Sequence, residues 1–168
     1  EMLAAVLSGH SAARFSKHLV REQRLAVSAG AEYDSTARGP GMFYLVGMPS
    51  EGKTVAEMEA GLRAEIVRVQ QSGVTAEELE RVRTQVVSGQ IYKLDSMFAQ
   101  AMEIGQLEAA GLDYRSDDRM IEKLKAVTAE QVQEVARRYF GDDALTVGVL
   151  DPQPLSGAPR RPAATPRH

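Results

Sequence analysis

The sequence of 168 residues contains no cysteine. Disulfide bonds, thiolate catalysis and cysteine-bound zinc are therefore excluded. No apolar run approaches the roughly 18 residues that a membrane-spanning helix needs. The opening EMLAAVLSG has neither the basic start nor the apolar length of a signal peptide, and it is more typical of a helix entered part-way. The absence of cysteine is compatible with an exported, periplasmic or envelope protein and does not fix the compartment.

The chain also lacks an excess of either charge. Its 20 basic and 23 acidic residues are mixed along the sequence and give a formal net charge of −3. No basic stripe is present, which argues against nucleic acid as the main partner. The apolar content of 43% is sufficient for a core, and the length fits one domain.

Histidine is scarce as well, and this limits any metal site. The three histidines are His10, His18 and His168, and none belongs to an H-x-x-E-H pattern. His18 and Glu22 lie four residues apart on a predicted helix and could face one ion. Two ligands do not complete a zinc site, and such pairs are common on solvated helix surfaces. We therefore predict no metal site and no catalytic residue in this chain.

Other catalytic and binding motifs are missing too. There is no G-x-S-x-G elbow. Gly52-Lys53-Thr54 matches only the end of the phosphate-binding G-x-x-x-x-G-K-[ST] motif, so we interpret it as a helix start. Gly39 and Gly41 flank a proline in a predicted hairpin loop. The remaining motifs, Ser8-Gly9-His10-Ser11 and Arg137-Arg138, indicate a helix break and a solvated pair near a helix C-terminus.

Residues 75–112 predict one long central helix, on which the other elements pack. Thr75 is an N-cap candidate, and Glu78 lies three residues later, where it would complete a capping box. Gly89 and Gly105 weaken the helix by roughly 1 kcal/mol each. Apolar residues recur at helical spacing, at Leu79, Val82, Val86, Val87, Ile91, Leu94, Phe98 and Met102.

The rest of the chain predicts an α+β domain over residues 1–150, with an antiparallel-rich sheet and helices packed on one face. Alternation predicts strands at residues 25–33 and 42–48, joined as a hairpin, and a third strand at residues 144–150. Helices are predicted at residues 2–7, 12–23, 54–71, 119–126 and 128–139, with capping boxes at Thr54/Glu57 and Thr128/Gln131. Residues 151–168 hold five of the seven prolines and predict a disordered, dispensable tail.

Four stretches together resemble the pitrilysin/insulinase-like zinc peptidases, a family that includes the mitochondrial processing peptidase subunits. They are RFSKHLVREQRLAVSAGA (residues 14–31), GVTAEELERVRTQV (73–86), LDSMFAQAMEIGQLEAAGLDY (94–114) and VTAEQVQEVARRYFGDDALTVGVLDPQ (127–153). Their order and spacing agree with the family over about 150 residues. The resemblance is to the second half-domain, which carries no zinc.

This resemblance implies the fold and the kind of role that the chain has. The family is built from repeated α+β half-domains that enclose a peptide-binding chamber, with zinc bound by H-x-x-E-H in the other half. Some members carry an arginine and a tyrosine, seven residues apart, that contact the substrate backbone. The matching positions here are Val20 and Val27. The resemblance therefore assigns no catalytic, substrate-binding or metal residue, and no cofactor, to this chain.

Three roles remain open at this point. The chain is the non-catalytic half of an active zinc peptidase, part of an inactive homologue paired with an active subunit, or an interaction module without a proteolytic role. The implied partners are the catalytic half-domain, in the same protein or a paired subunit, and peptide substrate; a homodimer is a further candidate. We also expect the chain to be a fragment whose sheet is completed by a strand upstream of Glu1, so that the isolated chain pairs through an open edge.

Overall fold

The structure, a computed structural model, describes residues 1–93, 95–113 and 116–153. In chain order the elements are helix α1 (Met2–Ser8), a π-helix (Phe15–Glu22), strands β1 (Ala26–Tyr33) and β2 (Phe43–Pro49), and helices α2 (Val55–Ser72), α3 (Ala76–Lys93), α4 (Met97–Ala110), α5 (Ser116–Ala126) and α6 (Ala129–Tyr139), followed by one 3-10 turn (Asp142–Ala144). The predicted tail lies outside these residues from position 154 onward. No helix in the described part is long and apolar enough to cross a membrane.

Strands β1 and β2 form the predicted hairpin, an antiparallel pair in which Ala31 lies opposite Leu45. Gly39 in the connecting loop has a φ of 97°, a conformation that favours glycine. The alternation that predicts β1 places Leu25, Val27, Ala29 and Ala31 on one buried side, and it is wrong at Val27, which is 60% exposed. A register shift between Ala26 and Ser28 explains the difference, because the extra residue of a bulge has no partner across the ladder.

The hairpin is covered on one face only, as predicted for this fold class. Helix α1 and the π-helix pack on β1, and α2 packs on β2. Two glycines permit the close approach of α2, since a Cβ at Gly61 would lie 2.5 Å from Leu25 and one at Gly47 would lie 2.6 Å from Met58. The core joins these elements to α3, α5 and α6, and its largest fully buried apolar side chains are Leu7, Phe15, Leu19, Val6, Val69 and Val82.

A side chain occupies the free edge of β1 at one residue, Ala31. The Ser8 hydroxyl accepts a hydrogen bond from the Ala31 N–H at 2.8 Å and donates one to the Ala31 carbonyl at 3.1 Å. Both backbone groups of Ala31 therefore point away from β2 and are satisfied by the end of α1. Such a contact hinders another strand from adding at this edge.

Two of the three predicted capping boxes are confirmed. Thr54 and Glu57 begin α2, and Thr128 and Gln131 begin α6, with both reciprocal hydrogen bonds present in each. At α3 the Thr75 hydroxyl accepts from the Glu78 N–H at 3.2 Å, as expected for a cap. The other half of that box is wrong, because the Glu78 carboxylate binds Arg14, the residue immediately before the π-helix, instead.

The single central helix is also wrong. The structure divides it into α3 and α4, with Asp95 and Ser96 between them. The amides of both residues bond carbonyls three residues back, and the Ser96 hydroxyl then caps α4 by accepting from the Ala99 N–H at 3.2 Å. Short polar side chains offer the backbone such local partners, which compete with a continuous helix. Leu94 lies outside the described residues.

The apolar residues predicted to line the inner side of this helix are buried only near its start. Leu79 and Val82 are buried, and Val86 is partly buried against the core. The later members are exposed, with Ile91 at 53% and Phe98 at 76%. Apolar residues of two other predicted helices are exposed too, with Val55 at 43%, Val135 at 41% and Tyr139 at 60%.

The third predicted strand is not formed. Residues 145–150 follow the 3-10 turn without strand pairing to the described part of the chain. Leu145 has extended dihedral angles, and Val147 and Val149 are 48% and 58% exposed. A strand needs a neighbouring strand to satisfy its backbone groups. Alternating apolar side chains favour a strand, but they do not supply that neighbour. The described sheet thus has two strands, and the fold belongs to the predicted α+β class.

Candidate functional site

The most buried charge in the described chain lies between the π-helix and α2. Glu65 is completely buried, and its Oε2 lies 2.9 Å from Nδ1 of His18. Because an ionised carboxylate only accepts hydrogen bonds, this contact requires the proton on Nδ1; the Nη1 of Arg68, 3.2 Å from the same nitrogen, then cannot donate to it. Arg68, one turn along α2, donates from Nη1 to the other oxygen, Oε1. We call these three residues the His18–Glu65–Arg68 cluster.

The cluster satisfies the carboxylate at both oxygens. The side chain of His18 is 22% exposed and that of Arg68 is 48% exposed, so the two donors reach solvent while the acid does not. A buried carboxylate without donors would be costly, and these two contacts offset that cost. The arrangement thus fixes the π-helix against α2.

A second ion pair joins the π-helix region to the start of α3. Nε and Nη2 of Arg14 each donate to the Glu78 carboxylate at 2.8 Å, and Nη2 also donates to the Gly73 carbonyl at 2.8 Å. The hydrogen bonds to Glu78 raise the pKa of Arg14 above its ordinary value, although burial acts in the opposite direction. The bidentate geometry makes this contact specific as well as attractive.

Neither cluster has the composition of a hydrolytic centre. A zinc hydrolase needs about three protein ligands and an open position for water. Within residues 1–93, 95–113 and 116–153 no three histidine, aspartate or glutamate side chains could hold one metal ion together. The residues described therefore do not fit the zinc of the resembled family, and no catalytic step is derived through it.

His18 and Glu22, the pair that could face one ion, have different surroundings in the structure. Nδ1 of His18 is used by Glu65, and Glu22 is exposed one turn further along the π-helix. His10 lies before the π-helix, and its Nδ1 accepts a hydrogen bond from the Ala12 N–H at 3.0 Å. Burial, followed by the nearby charge of Arg81, lowers the pKa of His10. His168 lies outside the described residues.

The two family positions for substrate contact differ in their surroundings. Val20 is partly buried against the core, whereas Val27 is exposed at the bulge of β1. Valine has no hydrogen-bonding group on its side chain. The prediction that neither residue anchors a peptide backbone rests on that chemistry and stays a prediction.

The remaining sequence motifs have structural roles. Gly52 has a φ of 78° in the turn before the Thr54 cap, in agreement with a helix start. Arg137 is not simply solvated as expected, because its Nε donates to the Gln70 carbonyl at 2.7 Å and ties α6 to the end of α2. Its neighbour Arg138 lies over the Tyr139 ring at 5.3 Å.

An apolar surface lies on the side of the hairpin that no helix of the described residues covers. We call it the outer hairpin face, formed by Tyr44, Val46 and Met48 of β2, which are 50%, 60% and 57% exposed. Glu32 lies opposite Tyr44, and glycine lies opposite Val46 at position 30. With a small residue beside the apolar row, the face is open to an extended chain or to another surface.

Sequence reasoning missed the buried acid. Glu65 occupies the same face of α2 as Leu62, Ile66 and Val69, which are all buried. That placement was visible as one charged residue within an apolar stripe, a pattern that demands a partner. The partner itself, forty-seven residues away on another helix, could not be read from spacing.

The sequence model of one family, described as the peptidase M16 inactive domain, matches residues 1–86. An uncharacterized zinc protease of Rickettsia bellii is 29% identical over 157 residues, which cover 94% of this chain and 37% of that protein. The uncharacterized zinc protease YmxG of Bacillus subtilis is 24% identical over 142 residues, which cover 84% of this chain and 34% of that protein. The chain thus spans about a third of the length of these relatives.

Two solved structures have the same fold as this chain. An inactive peptidase domain from Bordetella parapertussis superposes with a TM-score of 0.76 at 18% identity, covering 92% of this chain and 83% of that one. A protease from Helicobacter pylori gives a TM-score of 0.77 at 16% identity, covering 84% of this chain and 34% of that one.

Proposed function

The chain belongs to the peptidase M16 inactive domain family, and from that premise we propose that it is the non-catalytic half-domain of a pitrilysin/insulinase-type zinc metallopeptidase. Its role is to help enclose peptide substrate and to support the zinc-bearing half. That half, in the same protein or a paired subunit, supplies the zinc and the reacting groups. The related zinc proteases support the assignment of zinc to the partner half.

The observation that carries the enclosing role is the outer hairpin face. Helices cover the opposite side of β1 and β2, so Tyr44, Val46 and Met48 are left as an apolar row on a two-stranded platform. Exposed apolar rows of this kind are suited to side chains of an extended peptide, which alternate in direction. Glu32 adds a negative charge at one end, which favours peptides with a basic residue there.

A peptidase assay with a quenched peptide tests this role, using the zinc-bearing half with and without the chain. We expect the chain to raise kcat/KM, because an open half-domain cannot hold the peptide by itself. Val46→Gln on the outer hairpin face should raise KM severalfold. Val67→Gln is the matched control, since Val67 is an exposed valine on α2, which packs on the other side of the hairpin.

Two results would decide against the proposal. Cleavage that is equally fast without the chain would favour an interaction module with no proteolytic role. Equal effects of Val46→Gln and Val67→Gln would remove the outer hairpin face from the peptide path.

A further inference from the structure

Helix α4 has an exposed apolar side, and we propose that this side is the surface on which the zinc-bearing half docks. This inference rests on the proposed function and adds the place of contact. We call the surface the α4 stripe; its exposed residues are Met97, Phe98, Ala101, Met102, Ile104, Gly105 and Ala109.

The stripe follows from helical geometry and the observed exposure. At 3.6 residues per turn these seven residues occupy one side of α4, and the charged residue Glu108 lies on that side as well. All seven are exposed, including Met97 at 86% and Phe98 at 76%. The opposite side carries Gln100, Glu103 and Gln106 in addition to Leu107.

The orientation of α4 is fixed by that opposite side. Leu107 is 3% exposed, and Glu103 pairs with Lys93 at the end of α3, at 3.1 Å. Rotating the stripe inward would expose Leu107 and break this ion pair. An apolar stripe that stays exposed on a helix oriented in this way is suited to a second apolar surface.

We assign the zinc-bearing half as the partner that binds the α4 stripe, because a docked half-domain would keep the stripe covered permanently. Phenylalanine and methionine side chains exposed to this degree favour association, and a peptide that comes and goes would leave them uncovered for much of the time. In the relatives the region matched by this chain is 37% or less of the protein, so a larger remainder is available to cover the stripe. Methionine adapts its shape, which suits packing against another folded surface.

The lack of cysteine allows a direct test by thiol labelling with peptide-level mass spectrometry. Ala101→Cys places one thiol in the α4 stripe with little change in size. Ala64→Cys is the matched control, an exposed alanine in the middle of α2. Each variant is labelled alone and in complex with the zinc-bearing half that co-purifies with the tagged chain from its native cells.

We expect the complex to slow labelling at position 101 at least tenfold and to leave position 64 unchanged. Phe98→Gln should also weaken the complex at least tenfold, whereas Val67→Gln should not. If the zinc-bearing half co-purifies but position 101 labels as fast as in the free chain, the docking surface is refuted and the proposed function stands. If no zinc-bearing half co-purifies, both are refuted. Protection at position 101 in the concentrated chain alone would assign the stripe to a second copy and overturn the proposal.

Discussion

Replacing His18 by alanine removes one of the two donors that satisfy the buried Glu65 carboxylate. Glu65 is fully buried, and Arg68 would remain on Oε1 while Oε2 would lose its contact at 2.9 Å. An unsatisfied buried acceptor costs about 1–3 kcal/mol, and more when it is charged. Breaking a fully buried pair costs up to about 5 kcal/mol, but His18 is 22% exposed, so water can partly replace it. We therefore expect His18→Ala to lower the free energy of unfolding by about 2–3 kcal/mol.

This loss is measurable by urea unfolding and by thermal melting. At about 2–4 °C per kcal/mol for a chain of this length, the melting temperature should fall by roughly 4–12 °C. Lys17→Ala, at an exposed position next to His18, should stay within about 0.5 kcal/mol of the unmodified chain.

A double variant separates the pairing from other effects of the substitution. Glu65→Leu keeps a side chain of similar volume and removes the charge that needs donors, so His18→Ala should cost little in that background. The reasoning would be refuted if His18→Ala cost less than about 0.5 kcal/mol, or if it cost the same with leucine at position 65.

Three further predictions concern the caps and the tail. Thr75→Ala should destabilise the chain by about 1 kcal/mol, and an unchanged urea midpoint would contradict its role as the cap of α3. Hydrogen bonds from Thr54 lower the pKa of Glu57 below 4.5, so the contribution of this capping box is present at neutral pH and is lost as the pH falls through the lowered pKa; a titration by NMR should show the Glu57 pKa rising in Thr54→Ala. Truncation after Pro152 should leave the melting temperature unchanged, and a fall of many degrees would show that the tail is needed.

Local signals in the sequence predicted most of the elements. The capping residues Thr54 and Thr128 each precede an apolar periodic run, and both helices begin where those residues place them. The hairpin was predicted from alternation and from the turn residues around Gly39. Such features depend on neighbours in the chain, which is why they can be read without the structure.

Features that depend on distant partners were not predictable in the same way. Glu78 was assigned to a capping box, but Arg14, sixty-four residues away, takes its carboxylate. The alternation of residues 145–150 predicts a strand, but the described part of the chain contains no partner strand for it. The absence of a catalytic constellation was argued from the scarcity and spacing of histidine, and that argument stays a prediction.

Metal analysis of the chain and of its complex with the zinc-bearing half tests the central claim most directly. The account predicts about one zinc per complex after dialysis, all of it retained when His18 is replaced by alanine, and none in the isolated chain, which also leaves a quenched peptide uncleaved. Stoichiometric zinc in the isolated chain that disappears in His18→Ala would contradict the account, because it would place a metal site in the half-domain that we propose to be non-catalytic.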